Sequence, residues 1–150
     1  MQTDFDDIDK GILKLLQDDA RISYADMAQQ LGVAESTIRY RLKRLLDSKV
    51  ITRMTALLDP RRIGRDVTSV VMVKINPEFL SDAIERLASF EESHHVFQTT
   101  GEYDAIAVVH VKDMRHLNEL KRRVKMIPGV KDAMIWVTTG LAKIETRFKL

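Results

Sequence analysis

Residues 31–46 read LGVAESTIRYRLKRLL. From Ser36 to Leu46 there are four basic residues and no acid. Ile38, Leu42 and Leu45 recur at helical spacing, so one side of this helix is buried. On a helical wheel Ser36, Tyr40, Lys43 and Arg44 fall opposite that side, with Thr37 and Arg39 on its flanks. A buried stripe backed by cations fits a solvated surface helix, and it also fits a helix that reads DNA. The hydroxyl and guanidinium groups of Ser36, Thr37, Arg39 and Tyr40 suit base edges and phosphates. Lys43 and Arg44, near the other end, suit phosphates.

The neighbouring sequence favours the second reading. DFDDIDKGILKLLQDD, residues 4–19, places Ile8, Ile12, Leu15 and Leu16 on one helical face, with Asp4, Asp6 and Asp7 to cap its start. In SYADMAQQL, Ser23 and Asp26 have capping-box spacing, while Met27, Ala28 and Leu31 face inward. Gly32 ends that helix, where only glycine takes a left-handed conformation cheaply. Two short helices joined by a glycine turn, the second basic and a third helix in support, make a helix-turn-helix. VITRMTALL, residues 50–58, reads as a strand forming a wing, and LDPRRIGRD as a basic hinge.

Charge is distributed accordingly. Residues 1–34 hold three basic and seven acidic residues, residues 35–65 nine and three, and residues 66–150 twelve of each. The net +2 thus conceals a basic block of about thirty residues, the footprint of an anion-binding surface. The absence of cysteine excludes disulfides and thiolate metal sites. An acidic start and the lack of a long apolar run predict a cytoplasmic protein with no membrane span.

The stretch DDIDKGILKLLQDDARISYADMAQQLGVAESTIRYRLKRLLDSKVI resembles the DNA-binding domain of the leucine-responsive/asparagine-regulator (Lrp/AsnC) family. The matching positions are Asp9, Ile12, Leu13, Leu16, residues 19–21, 31–33, Ser36, Thr37, Arg41, Leu45, Val50 and Ile51. Two positions depart from the pattern. Ala34 stands where a capping serine is usual, which costs about 1 kcal/mol. Lys49 replaces a common glycine, at a place where positive φ is uncomfortable for lysine.

Beyond the hinge the order is strand, helix, strand, strand, helix, strand, with Leu80, Ala83, Ile84 and Leu87 on one helix and Leu117, Leu120, Val124 and Ile127 on the other. This is the ferredoxin-like βαββαβ arrangement, and it resembles the family's effector-binding domain. The expected fold is therefore α+β. Residues 1–58 form a winged helix-turn-helix domain, residues 59–66 a hinge, and residues 67–150 a ferredoxin-like effector-binding and oligomerisation domain.

TTGEYD, Thr99, Thr100, Gly101, Glu102, Tyr103 and Asp104, is good hairpin chemistry in its own right. The resemblance implies more, because in this family the loop lies at a subunit interface and engages an amino-acid effector. Backbone N–H groups around Gly101 can hold a carboxylate, and Glu102 or Asp104 an ammonium group. Many relatives carry threonine or serine early in the last strand, facing the effector. Here Ala133 and Ile135 cannot donate, which implies an apolar effector or none.

The glycines form no phosphate-binding motif, and His94–His95, adjacent on a strand, cannot share a metal in the simplest geometry. No catalytic residue, metal or cofactor is expected. Met72, Met114, Met126 and Met134 are expected to pack in the core, and Trp136 in a core or interface. The resemblance implies a non-enzymatic transcription regulator with three partners: double-stranded DNA carrying a pseudo-palindromic operator, a small amino acid, and a second copy of the chain. In this family such dimers often build octamers. Two rivals share the architecture. A DNA-compacting protein would lose its DNA to random competitor, and a sirohaem-decarboxylase-like enzyme would show Soret absorption.

Overall fold

The computed structural model describes residues 5–150; the capping role expected of Asp4 lies outside them. By contacts the chain divides into two units. One holds the helices up to Leu57 together with Lys143–Leu150, the other Leu58–Ala142.

In the first unit, α1 (Asp7–Asp18) starts at Asp6, whose carboxylate accepts from the Asp9 N–H at 2.9 Å. Next, α2 (Tyr24–Leu31) is capped by Ser23, whose hydroxyl oxygen accepts from the Asp26 N–H at 3.0 Å. Gly32 closes it at φ 66. The basic helix is α3 (Glu35–Asp47), with Ile38, Leu42 and Leu45 buried. These three pack with Ile12, Met27 and Ala28 into one core. Ala34 at its N-cap makes no side-chain cap bond. Lys49 follows it at φ 60, the one non-glycine residue with positive φ among the described residues. Both departures noted in the sequence are thus real local costs.

The wing expected at residues 50–58 is not a strand. A strand needs a ladder partner for its backbone groups, and the described residues of this unit supply none. Met54, Leu57 and Leu58 are exposed there. The last eight residues, read above as part of the second domain, return to the helical unit. The Gln17 amide donates to the Phe148 carbonyl at 3.2 Å and accepts from its N–H at 2.5 Å. Arg147 pairs with Asp18 at 3.0 Å.

The second unit is a four-stranded antiparallel sheet in the order β2-β3-β1-β4. Its elements are β1 (Val67–Ile75), α4 (Leu80–Ala88), β2 (Ser93–Gln98), β3 (Ala105–Val111), α5 (Met114–Lys125) and β4 (Val130–Val137). With β3 between β1 and β2, this is the expected split βαββαβ arrangement. Alternation puts Val71, Val73, Ala105, Ala107 and Val109 on one face, buried against Leu87, Leu117, Leu120 and Val124 of the helices.

Both helices of this unit, α4 and α5, pack on that one face and leave the other without a helix of the unit. There Met72 pairs in register with Ile106 and Met134, and Val70 with Val108 and Trp136. Trp136 is 60% exposed and Phe97 53%. Of the four methionines expected in the core only Met72 is buried, and it lies on this face rather than in the helix-covered cluster, while Met114, Met126 and Met134 are exposed. Unbranched apolar side chains satisfy a helical or alternating pattern from either face, so spacing could not sort them.

Candidate functional site

The free face of α3 is assembled by what its buried face requires. Ser36, Arg39, Tyr40 and Lys43 are exposed, and Thr37 is half-buried. Tyr40 reaches 67% exposure, far beyond what packing asks of an aromatic ring. Arg39 is held on its own helix, donating from Nη2 to Glu35 at 2.7 Å, and its guanidinium lies over the Tyr24 ring at 4.5 Å from the centroid. Lys43 pairs with Asp47 at 2.9 Å on the exposed side.

Arg44 differs from the wheel's expectation. Instead of standing free, it donates from Nη2 to Asp9 of α1, whose carboxylate is almost wholly buried. Arg41 reaches the same carboxylate at 3.3 Å and Asp6 at 2.6 Å. A buried carboxylate needs cationic partners, so two of the four α3 cations orient the helix on α1. The wheel could not anticipate this, because Asp9 lies on another helix.

In the second unit the TTGEYD loop joins β2 to β3, and its own bonds hold it. Thr99 donates its N–H to the Asp104 carbonyl at 2.9 Å and its hydroxyl to the Tyr103 carbonyl. Asp104 Oδ2 accepts from the Ile75 N–H at 2.7 Å, while its own N–H donates to the Val73 carbonyl at 2.9 Å. Asp104 is therefore a clasp between the loop and β1. Glu102 is exposed and pairs with Lys74 at 2.8 Å, and Lys74 also lies 5.2 Å from the Tyr103 ring centroid. Thr100 and Gly101 are exposed, and a Cβ at Gly101 would meet nothing within 4 Å.

Two residues outside the expected effector set lie beside the loop. Lys74 stands on the open face opposite Asp132. Met134, also on that face, takes a contact from the Tyr103 hydroxyl to its sulfur at 3.6 Å. Ala133 and Ile135, expected to face an effector, pack instead toward the helix-covered core. Strand alternation left both phases open until the register was known. Among the described residues no group of three or more metal-ligating side chains occurs, and no helix is long and apolar enough to cross a membrane.

Each part of the chain matches a known domain. Residues 5–46 match the AsnC-type helix-turn-helix domain, and residues 68–146 the Lrp/AsnC ligand binding domain. The HTH-type transcriptional regulator FL11 of Pyrococcus horikoshii is 34% identical, over 87% of each chain. The structure of Escherichia coli AsnC superposes with a TM-score of 0.88 at 25% identity, covering 95% of this chain and 97% of that one. A feast or famine regulatory protein from Mycobacterium tuberculosis, solved with L-methionine, has the same fold. Its TM-score is 0.88 at 24% identity, with coverage of 95% and 97%. A DNA-reading helical domain followed by a ligand-binding ferredoxin-like domain defines a transcription regulator. The chain belongs to the Lrp/AsnC family.

Proposed function

We propose that this regulator reads a pseudo-palindromic operator as a two-fold dimer, and that an amino acid bound near the TTGEYD loop modulates it. The observation that carries the DNA assignment is the outward face of α3, where Arg39 and Tyr40 stand exposed on a helix anchored from behind. Arg39 and Tyr40 take base edges, Ser36 and Thr37 assist at the helix start, and Lys43 takes a phosphate. Arg44 reaches a phosphate with whatever of its guanidinium Asp9 leaves free. In an Arg39→Ala/Tyr40→Ala double variant, discrimination between selected and random duplexes should collapse; unchanged affinity and specificity would sink the assignment.

The apolar open sheet face supports the dimer. Phe97 on β2 and Met134 and Trp136 on β4 expose large side chains at the two edges of this face, with Ile106 and Met72 in register between them, an apolar surface that soluble monomers rarely leave uncovered. Light scattering at micromolar concentration should return a dimer or a multiple of it. A two-fold dimer sets half-sites about one helical turn apart, or a multiple of that.

For the effector, Lys74 supplies a cation for a carboxylate, Glu102 an anion for an ammonium group, and Met134 with Tyr103 an apolar wall. The L-methionine held by a protein of the same fold supports this class of ligand. A melting-temperature screen of the twenty amino acids should single out a branched or sulfur-containing one. A ligand at 100 times its dissociation constant adds about 2.7 kcal/mol of stability; no shift with any amino acid would leave the domain to assembly alone.

A further inference from the structure

We propose that Tyr24 and Glu35 are positioning residues that set DNA specificity by holding the Arg39 guanidinium in one pose. The inference rests on the reading of Arg39 as a base contact and extends it to two residues that need not touch a base.

The geometry is that of a clamp with two jaws, one ionic and one aromatic. Glu35 Oε1 accepts from Arg39 Nη2 at 2.7 Å, an edge contact that fixes the direction of the guanidinium within its plane. The Tyr24 ring lies under the same guanidinium at 4.5 Å, a face contact that blocks one side and so restricts the tilt of the plane. Either contact alone leaves one rotation free. Together they leave the remaining N–H donors of Arg39 pointing in a defined direction. The three side chains border one cleft between α2 and α3, and the Arg39 side chain is still 62% exposed. It is therefore held without being covered. Bidentate recognition of a base edge needs such a plane, because a guanidinium free to tilt satisfies many acceptors equally.

The other arginines of α3 make the contrast. Arg41 and Arg44 are turned onto Asp6 and Asp9 of α1, where they serve the fold. The Arg39 pair points away from that anchor. An acid in the first turn of α3 also suits the helix dipole, and exposed pairs of this spacing add little to stability. Those facts explain the tolerance of Glu35, but not the ring that the same guanidinium lies over.

Glu35 has a second consequence. It brings a negative charge to the face that approaches phosphates, so it opposes binding to any DNA while it orients Arg39. Its removal should therefore strengthen non-specific binding and weaken discrimination.

The test uses the full chain and two duplexes of equal length, one selected by the wild-type protein from a randomised pool and one of random sequence. The readout is the ratio of their dissociation constants. Arg39→Ala should lower that ratio about tenfold. Tyr24→Leu and Glu35→Ala should each lower it about three- to tenfold, and Tyr24→Phe, which keeps the ring face, should retain it. Glu35→Ala should also bind the random duplex about two- to fivefold more tightly. In the Arg39→Ala background, Tyr24→Leu and Glu35→Ala should change the ratio less than about twofold.

If Arg39→Ala lowers the ratio while Tyr24→Leu and Glu35→Ala do not, the clamp is refuted and the reading of Arg39 stands. If Arg39→Ala leaves the ratio unchanged, both fail. Undiminished effects in the Arg39→Ala background, or a Tyr24→Phe variant as poor as Tyr24→Leu, refute positioning. Should Tyr24→Leu not fold, the Glu35→Ala and Tyr24→Phe arms decide the matter.

Discussion

A Cβ built on Gly129 would lie 2.2 Å from the Cβ of Phe79, and Gly129 itself sits at φ 83. The turn before β4 is therefore closed to every other residue, by contact and by backbone conformation together. Its carbonyl also accepts from the Asn76 N–H at 2.8 Å, tying the turn to the end of β1.

Gly129→Ala should destabilise the second unit by about 2–5 kcal/mol, combining overpacking with a left-handed alanine. Gly101→Ala is the control: it has open space around it, and positive φ occurs only at Gly32, Gly64 and Gly129 among the glycines. Its denaturation midpoint should match wild type, so any loss of amino-acid binding in Gly101→Ala reports on the ligand and not on the fold.

Helix α3 carries two correctable defects. Ala34→Ser should add about 1 kcal/mol by capping its start. Lys49→Gly should add a similar amount by relieving φ 60 at its end. The two sites lie at opposite ends of a 13-residue helix, so their effects should sum in urea denaturation. A destabilised Lys49→Gly variant would show that the lysine side chain supplies more than its backbone costs.

Lys43 and Arg44 are neighbours in sequence with different duties. Lys43→Ala should leave stability within about 0.5 kcal/mol and reduce the salt dependence of DNA binding by about one counterion. Arg44→Ala should cost about 1–3 kcal/mol of stability, because it strips a hydrogen-bonded cation from the buried Asp9. Thermal melts beside salt titrations separate the two; an Arg44→Ala variant as stable as wild type would deny the anchor.

Asp104→Ala should destabilise by about 1–3 kcal/mol by leaving the Ile75 N–H without its carboxylate. Glu102→Gln should leave the melting temperature nearly unchanged, since its pair with Lys74 is exposed. Glu102→Gln is therefore the cleaner probe of an ammonium-binding role. An effect on ligand affinity in that variant would be free of any change in the fold.

Glu92 is nearly fully buried, and it accepts from Arg123 at 2.7 and 3.0 Å and from His116 at 2.8 Å. Burial pushes its carboxyl up, but these hydrogen bonds outweigh burial and hold it at about 2, below the ordinary 4.5. A depressed carboxyl stabilises the fold fully above its unfolded value. That contribution, roughly 3 kcal/mol, should fade as pH falls from about 4.5 toward 2. Stability measured over that range should show an acid limb in wild type that is much shallower in Glu92→Gln.

The start of α1, both ends of α2 and the inward faces of all three helices were legible in the chain because periodicity and capping act within a few residues of one another. The same holds for the βαββαβ order, since alternation and helical spacing leave separate marks. The uncapped Ala34 and the strained Lys49 were also readable, as single positions at helix ends. What a side chain meets across the fold was not. Asp9 claims Arg44 from another helix, Asp104 clasps a strand twenty-nine residues earlier in the chain, and Tyr24 slips under Arg39. Register decided that Met134 and Trp136, not Ala133 and Ile135, stand on the open face. Residues 50–58 carry a strand's composition and form none, because pairing needs a partner as well as a pattern. Local propensity is written residue by residue, whereas partners are chosen only when the backbone has brought distant segments together.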